Sequence, residues 1–457
     1  MRSLTITLLL LAYQPLSAQL YSTGLVFNDY NYKNAPMSTR HGSSDFKNLP
    51  ETASLRQYCP RPGNQLQLNT SPAWATSWSA LSIIDARKNQ RKGQWEITQH
   101  TFSPAYTYFY IKDAEDENCQ TGADLYKVLD FLKQSGTKTY SDFLEFCPKG
   151  IPEQLLPNHN AGQISGFSKL FESFHTDQFK INAVKKSIAG EYPVVIGMYC
   201  PPSFYSAKNF WQPTEYIDTS YPGHALCIVG YNDRKYGGAF EVINSWGSQW
   251  GNEGFIWIRY SDFVRFTKYA YEVFSMYKDP AGNHSFGGSI DLKLNTGKKI
   301  MLEQVANGIY QPGLPLKTGT YFRMYVRNIT PAFVYVFGLD ENGNYYKLFP
   351  HQDQISPALL YQNDDVAIPD EGNYIEIVGS PGRETLCLIY SKEALDFEGL
   401  LANLALYPGD VANNLDVLMP GKFLSPDALR WEKEDLSFDG LSKDRSAIFI
   451  QIKIVHI

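Results

Sequence analysis

Between two β-prone runs, Phe240–Asn244 and Phe255–Arg259, lies the segment Asn244-Ser245-Trp246-Gly247-Ser248-Gln249-Trp250-Gly251-Asn252-Glu253-Gly254-Phe255. It is long, specific and rich in turn residues. It follows three other features in a fixed order: Gln65, position 71 and His224. Gln65 precedes Ser71 by six residues, and a helical pattern starts at once, with Trp74, Trp78, Leu81 and Ile84 predicted on one face. His224 opens the apolar strand Ala225–Tyr231, and Asn244 ends another strand. A thiol peptidase needs a thiolate, a base to generate it, a group to orient that base and donors for the oxyanion. The order fits all of these roles except the thiol, because position 71 is serine.

In this arrangement the chain resembles the papain family of cysteine peptidases over roughly residues 49–275. Leu49-Pro50 with Ser54-Leu55-Arg56 resembles the start of the mature domain, and Gly63-Asn64-Gln65 the oxyanion-glutamine motif. Gly223-His224-Ala225, continuing to Val229-Gly230-Tyr231, resembles the catalytic-histidine strand. The segment from Asn244 resembles the catalytic-asparagine motif, with Trp246 and Trp250 at the family's tryptophan positions. The resemblance implies an α+β papain-like fold. It assigns Ser71 to the nucleophile position, His224 and Asn244 to catalytic positions and Gln65 to the oxyanion position, with Trp74, Trp211, Trp246 and Trp250 lining the cleft.

The departures from the family pattern lie together. Secreted bacterial relatives carry Gly after the glutamine and Gly-Ser-Cys before the helix; here these are Leu66 and Asn69-Thr70-Ser71. Trp74-Ala75-Thr76 sets that register. The plant-type Cys-Trp-Ala pattern would put Ala73 at the nucleophile instead, but only Ser71 keeps the six-residue step from Gln65. A single Cys→Ser exchange would not account for Leu66, Asn69 and Thr70.

A cysteine beside a histidine at a helix N-terminus can reach a pKa of about 3–4; a serine hydroxyl cannot form that resting ion pair. Serine triads orient their histidine with a carboxylate, and replacing it by an amide costs roughly 10⁴ in turnover. Asn244 is an amide. Ser71-Pro72 also reads as an ordinary helix start, serine at the N-cap and proline at N1. The expectation is an inactive homologue that binds a peptide or protein. The rivals are a peptidase using Ser71 with His224 and Asn244, and a scaffold that binds through a C-terminal β-sandwich. The aromatics of 201–221 (Phe204, Tyr205, Phe210, Trp211 and Tyr216) would border the cleft or pack a long loop.

The other 230 or so residues call for further domains. The 457-residue chain divides as 1–18 signal peptide, 19–55 N-terminal extension, 56–278 peptidase-like domain, 279–288 linker and 289–457 β-sandwich. Arg2, the apolar run Leu4 to Ala12 and Leu16-Ser17-Ala18 read as an export signal cleaved before Gln19. That predicts a periplasmic, outer-membrane-associated or extracellular protein at the cell envelope. Residues 19–55 read as an extended arm, short for an inhibitory propeptide. Helices are predicted over Asp124–Gln134 and Ile181–Ala189, and a strand from Pro193.

Turn formers fill 279–288. Short strands are expected at Ser289–Leu294, Tyr321–Val326, Phe333–Leu339, Tyr345–Phe349, Tyr374–Val378, Leu386–Tyr390 and Ala447–Val455, with a hairpin turn at Asp340-Glu341-Asn342-Gly343. Tyr335–Phe337, Asp340–Gly343 and Leu348-Phe349-Pro350 resemble a β-rich domain of unknown function found behind bacterial peptidase domains.

Net charge is −6 with no basic run, which argues against a nucleic-acid partner. No stretch is long and apolar enough for a transmembrane segment. No Cys/His spacing resembles a zinc site, and no metal or cofactor is expected. Of six cysteines, Cys119 and Cys147 are the best disulfide pair, 28 apart in loop-like sequence, whereas Cys227 and Cys387 read as buried thiols within strands.

Overall fold

The computed structural model describes residues 21–39, 46–156, 162–432 and 435–457. The predicted export signal lies outside the described residues.

The first domain is built on one long buried helix and one sheet. The helix opens at Ser71–Ala73, widens to π geometry over Trp74–Leu81 and closes as Ser82–Lys88. Every residue from Ser71 to Ile84 is buried, so the helix is enclosed on all sides rather than along the single predicted face. Its small residues (Ala73, Ala75, Ser77, Ser79, Ala80) let neighbouring elements approach closely.

The sheet order is Gly166–Lys169, Thr267–Phe274, Val194–Tyr199, Gly223–Asn232, Ala239–Ile243, Phe255–Arg259 and Phe210–Trp211. All neighbours are antiparallel except the last pair. Leu125–Gln134 and Asp177–Ala189 are helices, capped by the Asp124 and Thr176 side chains, as the capping rule requires. Gly136, at φ 70°, follows the first of them. The helices Gln94–Gln99 and Pro104–Ile111 were not predicted.

The N-terminal extension is not a free arm. Residues 21–28 are extended, Asp29–Asn34 is a helix, and Thr52–Ser54 pairs with the strand Gly223–Asn232. Nor does the linker span 279–288: a turn at Asp279–Asn283 leads directly into the strand His284–Leu294.

The second domain is a sandwich of two seven-stranded sheets. Alternation along Tyr321–Asn328 sends Phe322, Met324 and Val326 inward, where they meet Val334, Val336, Leu388, Ile450 and Ile452 of the facing sheet. The facing sheet is covered on its outer side too. There Phe333, Tyr335, Phe337 and Ile389 pack under the helices Phe397–Leu404 and Val411–Leu418, and against Tyr192 and Phe274 of the first domain. This explains why Ala332–Leu339 is an almost unbroken apolar run. The two helices were not predicted. The hairpin turn is present, with Gly343 at φ 86°.

Polar contacts also cross the seam between the domains. Tyr361 donates to Glu272, Lys186 pairs with Asp364, and Tyr192 Oη donates to Leu360 O at 3.2 Å.

Candidate active-site cleft

The predicted site residues come together where the buried helix meets the histidine strand. Ser71 is the first helical residue, with Thr70 at the cap position. The expected serine cap is therefore absent. Its hydroxyl instead accepts from the backbone N–H of Ala225, 3.2 Å away. His224 is fully buried, and its Nε2 donates to Asn244 Oδ1 at 2.8 Å. The N–H of Ser245 donates to the same oxygen at 2.7 Å, which fixes the orientation of the amide. Because an amide oxygen only accepts, Nε2 carries the proton and Nδ1 presents a bare lone pair. That Nδ1 is buried and makes no hydrogen bond, so none joins it to the Ser71 hydroxyl. Burial holds the imidazole pKa down at about 4, against the opposing hydrogen bond to Asn244. The ring is neutral at pH 7.

Gln65 is placed by antiparallel pairing of Asn64 with Trp246, and its own N–H donates to Ser245 O at 2.8 Å. Its side chain is saturated. Oε1 accepts from Ser245 Oγ at 2.5 Å, while Nε2 donates to Thr23 O at 2.8 Å and Leu68 O at 2.7 Å. The backbone N–H of Ser71, 3.3 Å from Thr23 O, donates to that carbonyl as well. The Gln65 amide and the Ser71 N–H therefore both hold one carbonyl of the chain's own N-terminal segment.

That segment occupies the cleft. Leu25 N–H donates to Gly223 O at 3.0 Å, Val26 N–H to Ala123 O at 2.9 Å, and Ala123 N–H to Gly24 O at 2.8 Å. Leu25 is 6% exposed, and its side chain lies against Gly197. Burying a leucine is worth about 1.5–3 kcal/mol. Glycine is required where the backbones cross. A Cβ on Gly24, whose φ is 118°, would stand 2.2 Å from Asn69 C, and one on Gly122 would stand 2.4 Å from Gly24 O. Tyr21 stacks on Trp246 at 4.8 Å, and Trp246 Nε1 donates to Ser22 O at 2.6 Å.

Of the four tryptophans expected to line the cleft, Trp246 contacts the segment and also stacks on His224, 4.6 Å between centroids. Trp250 packs against Trp246 and Phe204. Trp211 is buried against Phe204 and Phe266, and Trp74 packs on Trp78 beside Gly63. These three are core residues. In the aromatic loop Tyr205 stacks on Trp246 at 5.1 Å and Phe204 meets it edge-on at 5.7 Å, whereas Tyr216 is 88% exposed.

The cleft residues missed by sequence reasoning are Thr23, Leu25 and Ala123. The available signal was Gly24 set among Tyr21, Leu25 and Phe27 just ahead of the domain.

Cys119 and Cys147 form a disulfide. Its loop supports the nucleophile loop, since Asn69 N–H donates to Cys119 O at 2.9 Å and Gln120 Nε2 to Gln67 O at 2.9 Å. Cys59, Cys200, Cys227 and Cys387 are buried free thiols whose pKa burial pushes up. Among the described residues no cluster of His, Cys, Asp or Glu could hold a metal, and no helix is long and apolar enough to cross a membrane.

The family model described as papain family cysteine protease matches residues 74–273, beginning three residues after Ser71. A second, described as a domain of unknown function (DUF4384), matches residues 315–394. An uncharacterised peptidase C1-like protein of Acanthamoeba polyphaga mimivirus is 27% identical over 175 residues, 35% of this chain and 55% of that protein. Cysteine proteinase 3 of Entamoeba histolytica is 23% identical over 225 residues, 48% of this chain and 66% of that protein. The chain thus spans between about half and two thirds of the length of these relatives. Among solved structures, xylellain, a cysteine protease from Xylella fastidiosa, is 19% identical, with 56% of this chain and 96% of that chain covered and a TM-score of 0.43. The chain therefore carries a papain-family C1 peptidase domain of papain-like fold, followed by a β-rich region that contains a DUF4384 domain.

Proposed function

We propose that this protein is an exported, catalytically silent peptidase homologue that acts at the cell envelope by binding a protein or peptide. The observation that carries the reading is the state of the cleft. Position 71 has no thiol, and Thr23 O takes up both oxyanion donors. Hydrolysis through Ser71 lacks its supports: the hydroxyl is not bonded to the imidazole, and Asn244 offers an amide where a serine triad uses a carboxylate. The occupied cleft also favours a partner seated outside it, on the β-sandwich, over a peptide that must first displace residues 21–28.

Treatment of the purified protein with a fluorophosphonate probe tests the silent reading. No labelling at residue 71 is expected; labelling of the wild type that disappears in Ser71→Ala would establish serine chemistry instead. In-cell cross-linking followed by fractionation tests location and partnership. The expected product is an envelope-fraction adduct, and a purely cytosolic protein would overturn the export reading.

A further inference from the structure

At one end of the β-sandwich the two sheets part around a cavity of about 570 Å³. It is walled by Ile375 and Glu376 of one sheet and by Tyr346, Glu384 and His456 of the other. Two neighbouring strands run into this end, Gly382–Ser391 and Ala447–His456, with Gly382 opposite His456 and Glu384 opposite Ile454. Further in, their inward rows are apolar, Leu386 and Leu388 on one strand and Ile450, Ile452 and Ile454 on the other. Alternation by twos extends those rows to Glu384 and His456. Polar residues thus stand where the pattern calls for core residues. Both strands lie inside their sheet, so these are not the inward charges that protect a sheet edge.

The surroundings hold them in place. A Cβ on Gly338 would collide with the ring of Tyr346, so this glycine lets the ring lie across the sheet, where its Oη donates to Glu384 Oε2 at 3.1 Å. A Cβ on Gly382 would likewise collide with the Glu341 carboxylate, which sits over the residue paired with His456. His456 is 4% exposed, and its Nδ1 is buried with no hydrogen-bond partner. Leaving such an atom unpaired costs about 1–3 kcal/mol. Asp340 and Glu376 also line the cavity, so four carboxylates share it with one cation, Arg383. Among the described residues none of these five groups is in an ion pair.

We propose that this end of the sandwich binds a basic side chain, arginine or lysine, of a partner protein. The proposal rests on the reading that a partner seats on the β-sandwich. A guanidinium or ammonium entering between the sheets meets the Glu341 and Glu384 carboxylates, and a further N–H can donate to His456 Nδ1 when the ring proton is on Nε2. The methylene stem packs on Ile375 and Leu348, which belong to the adjoining core.

Isothermal titration calorimetry of the full chain tests it, with the capped pentapeptide Gly-Gly-Arg-Gly-Gly and its lysine and citrulline counterparts. One site per chain is expected for the charged peptides, and the tighter of the two identifies the side chain. The citrulline peptide should bind at least about tenfold more weakly. Glu384→Gln should weaken the charged peptides about tenfold, the effect of losing one hydrogen bond to a charged group. Glu145→Gln, which alters an exposed acid of the first domain, should not. His456→Phe should weaken binding yet leave the free protein at least as stable, because it removes the unpaired Nδ1; a merely structural histidine would cost stability and leave binding alone. Absence of binding, equal binding of the citrulline peptide, or equal weakening by Glu145→Gln and Glu384→Gln overturns the site. An envelope adduct that persists in Glu341→Gln/Glu384→Gln also overturns it and leaves the binding reading intact. Peptide binding without any adduct in cells supports the site and removes that reading instead.

Discussion

The main-chain oxygen of Thr23 lies 2.8 Å from Gln65 Nε2 and 3.3 Å from the backbone N of Ser71, and accepts from both. The glutamine is therefore a structural clamp on the N-terminal segment.

A thiol introduced at position 71 should remain shielded. Residue 71 is fully buried under the segment, so the thiol introduced by Ser71→Cys should react slowly with iodoacetamide. Adding Gly24→Val drives a side chain into Asn69 and should speed alkylation at least about tenfold. Peptide mapping separates this site from the four buried thiols. Equal rates with and without the second substitution would mean that the segment does not shield the site.

Removing the clamp should cost stability. Gln65→Leu strands Leu68 O and the Ser245 hydroxyl and leaves Thr23 O with the Ser71 N–H alone, and should lower unfolding free energy by about 2–4 kcal/mol. Ser71→Ala deprives only Ala225 N–H of its acceptor and should cost about 1 kcal/mol. Chemical denaturation at pH 7 measures both.

His224 should make the fold acid-sensitive. Its folded pKa is held down at about 4 by burial, below the ordinary 6.5, so the unfolded chain binds the extra proton first. Stability then declines as pH falls from about 6.5 to about 4, by roughly 3 kcal/mol from this group alone. His224→Gln, which can still donate to Asn244 Oδ1, should lose less stability than the wild type between pH 7 and pH 4.5. Parallel denaturation curves at the two pH values give that difference.

Opening the Cys119–Cys147 bridge should loosen the nucleophile loop. A loop of 28 residues is worth about 3.5 kcal/mol in the chain-entropy picture. The double variant Cys119→Ser/Cys147→Ser should fall by about that amount. Exchange should also increase in residues 64–71, because Asn69 N–H bonds Cys119 O. Unchanged exchange there would limit the bridge to its own loop.

Much of the site was legible because its parts are local motifs. The strand ending in Asn244, the turn-rich segment behind it and the strand opened by His224 are short stretches whose patterns reflect their own geometry. The helix at Leu125–Gln134 was legible through its periodicity and its Gly136 stop, and that at Asp177–Ala189 only from Ile181 onward. Those at Phe397–Leu404 and Val411–Leu418 were not, since each spans only two turns and is stabilised by packing on the outer sheet face. Trp74, Trp211 and Trp250 lie in the core because a large aromatic near a site in sequence can point into the core as readily as into a cleft.

By itself the sequence determined the fold class, the order Gln65, Ser71, His224, Asn244 and a hydroxyl instead of a thiol at position 71, because each follows from residue identity and local pattern. Only the tertiary structure decided that Ser71 bonds Ala225 instead of capping its helix, that residues 21–28 fill the cleft, and that residues 36–39 pair with both domains. The physical reason lies in the bonds that hold this segment. They run between backbone groups, from Leu25 to Gly223, Val26 to Ala123 and Met37 to Gln354. Backbone hydrogen bonding is common to nearly every residue type and leaves almost no mark on a sequence, so only the fold shows which carbonyl meets which N–H.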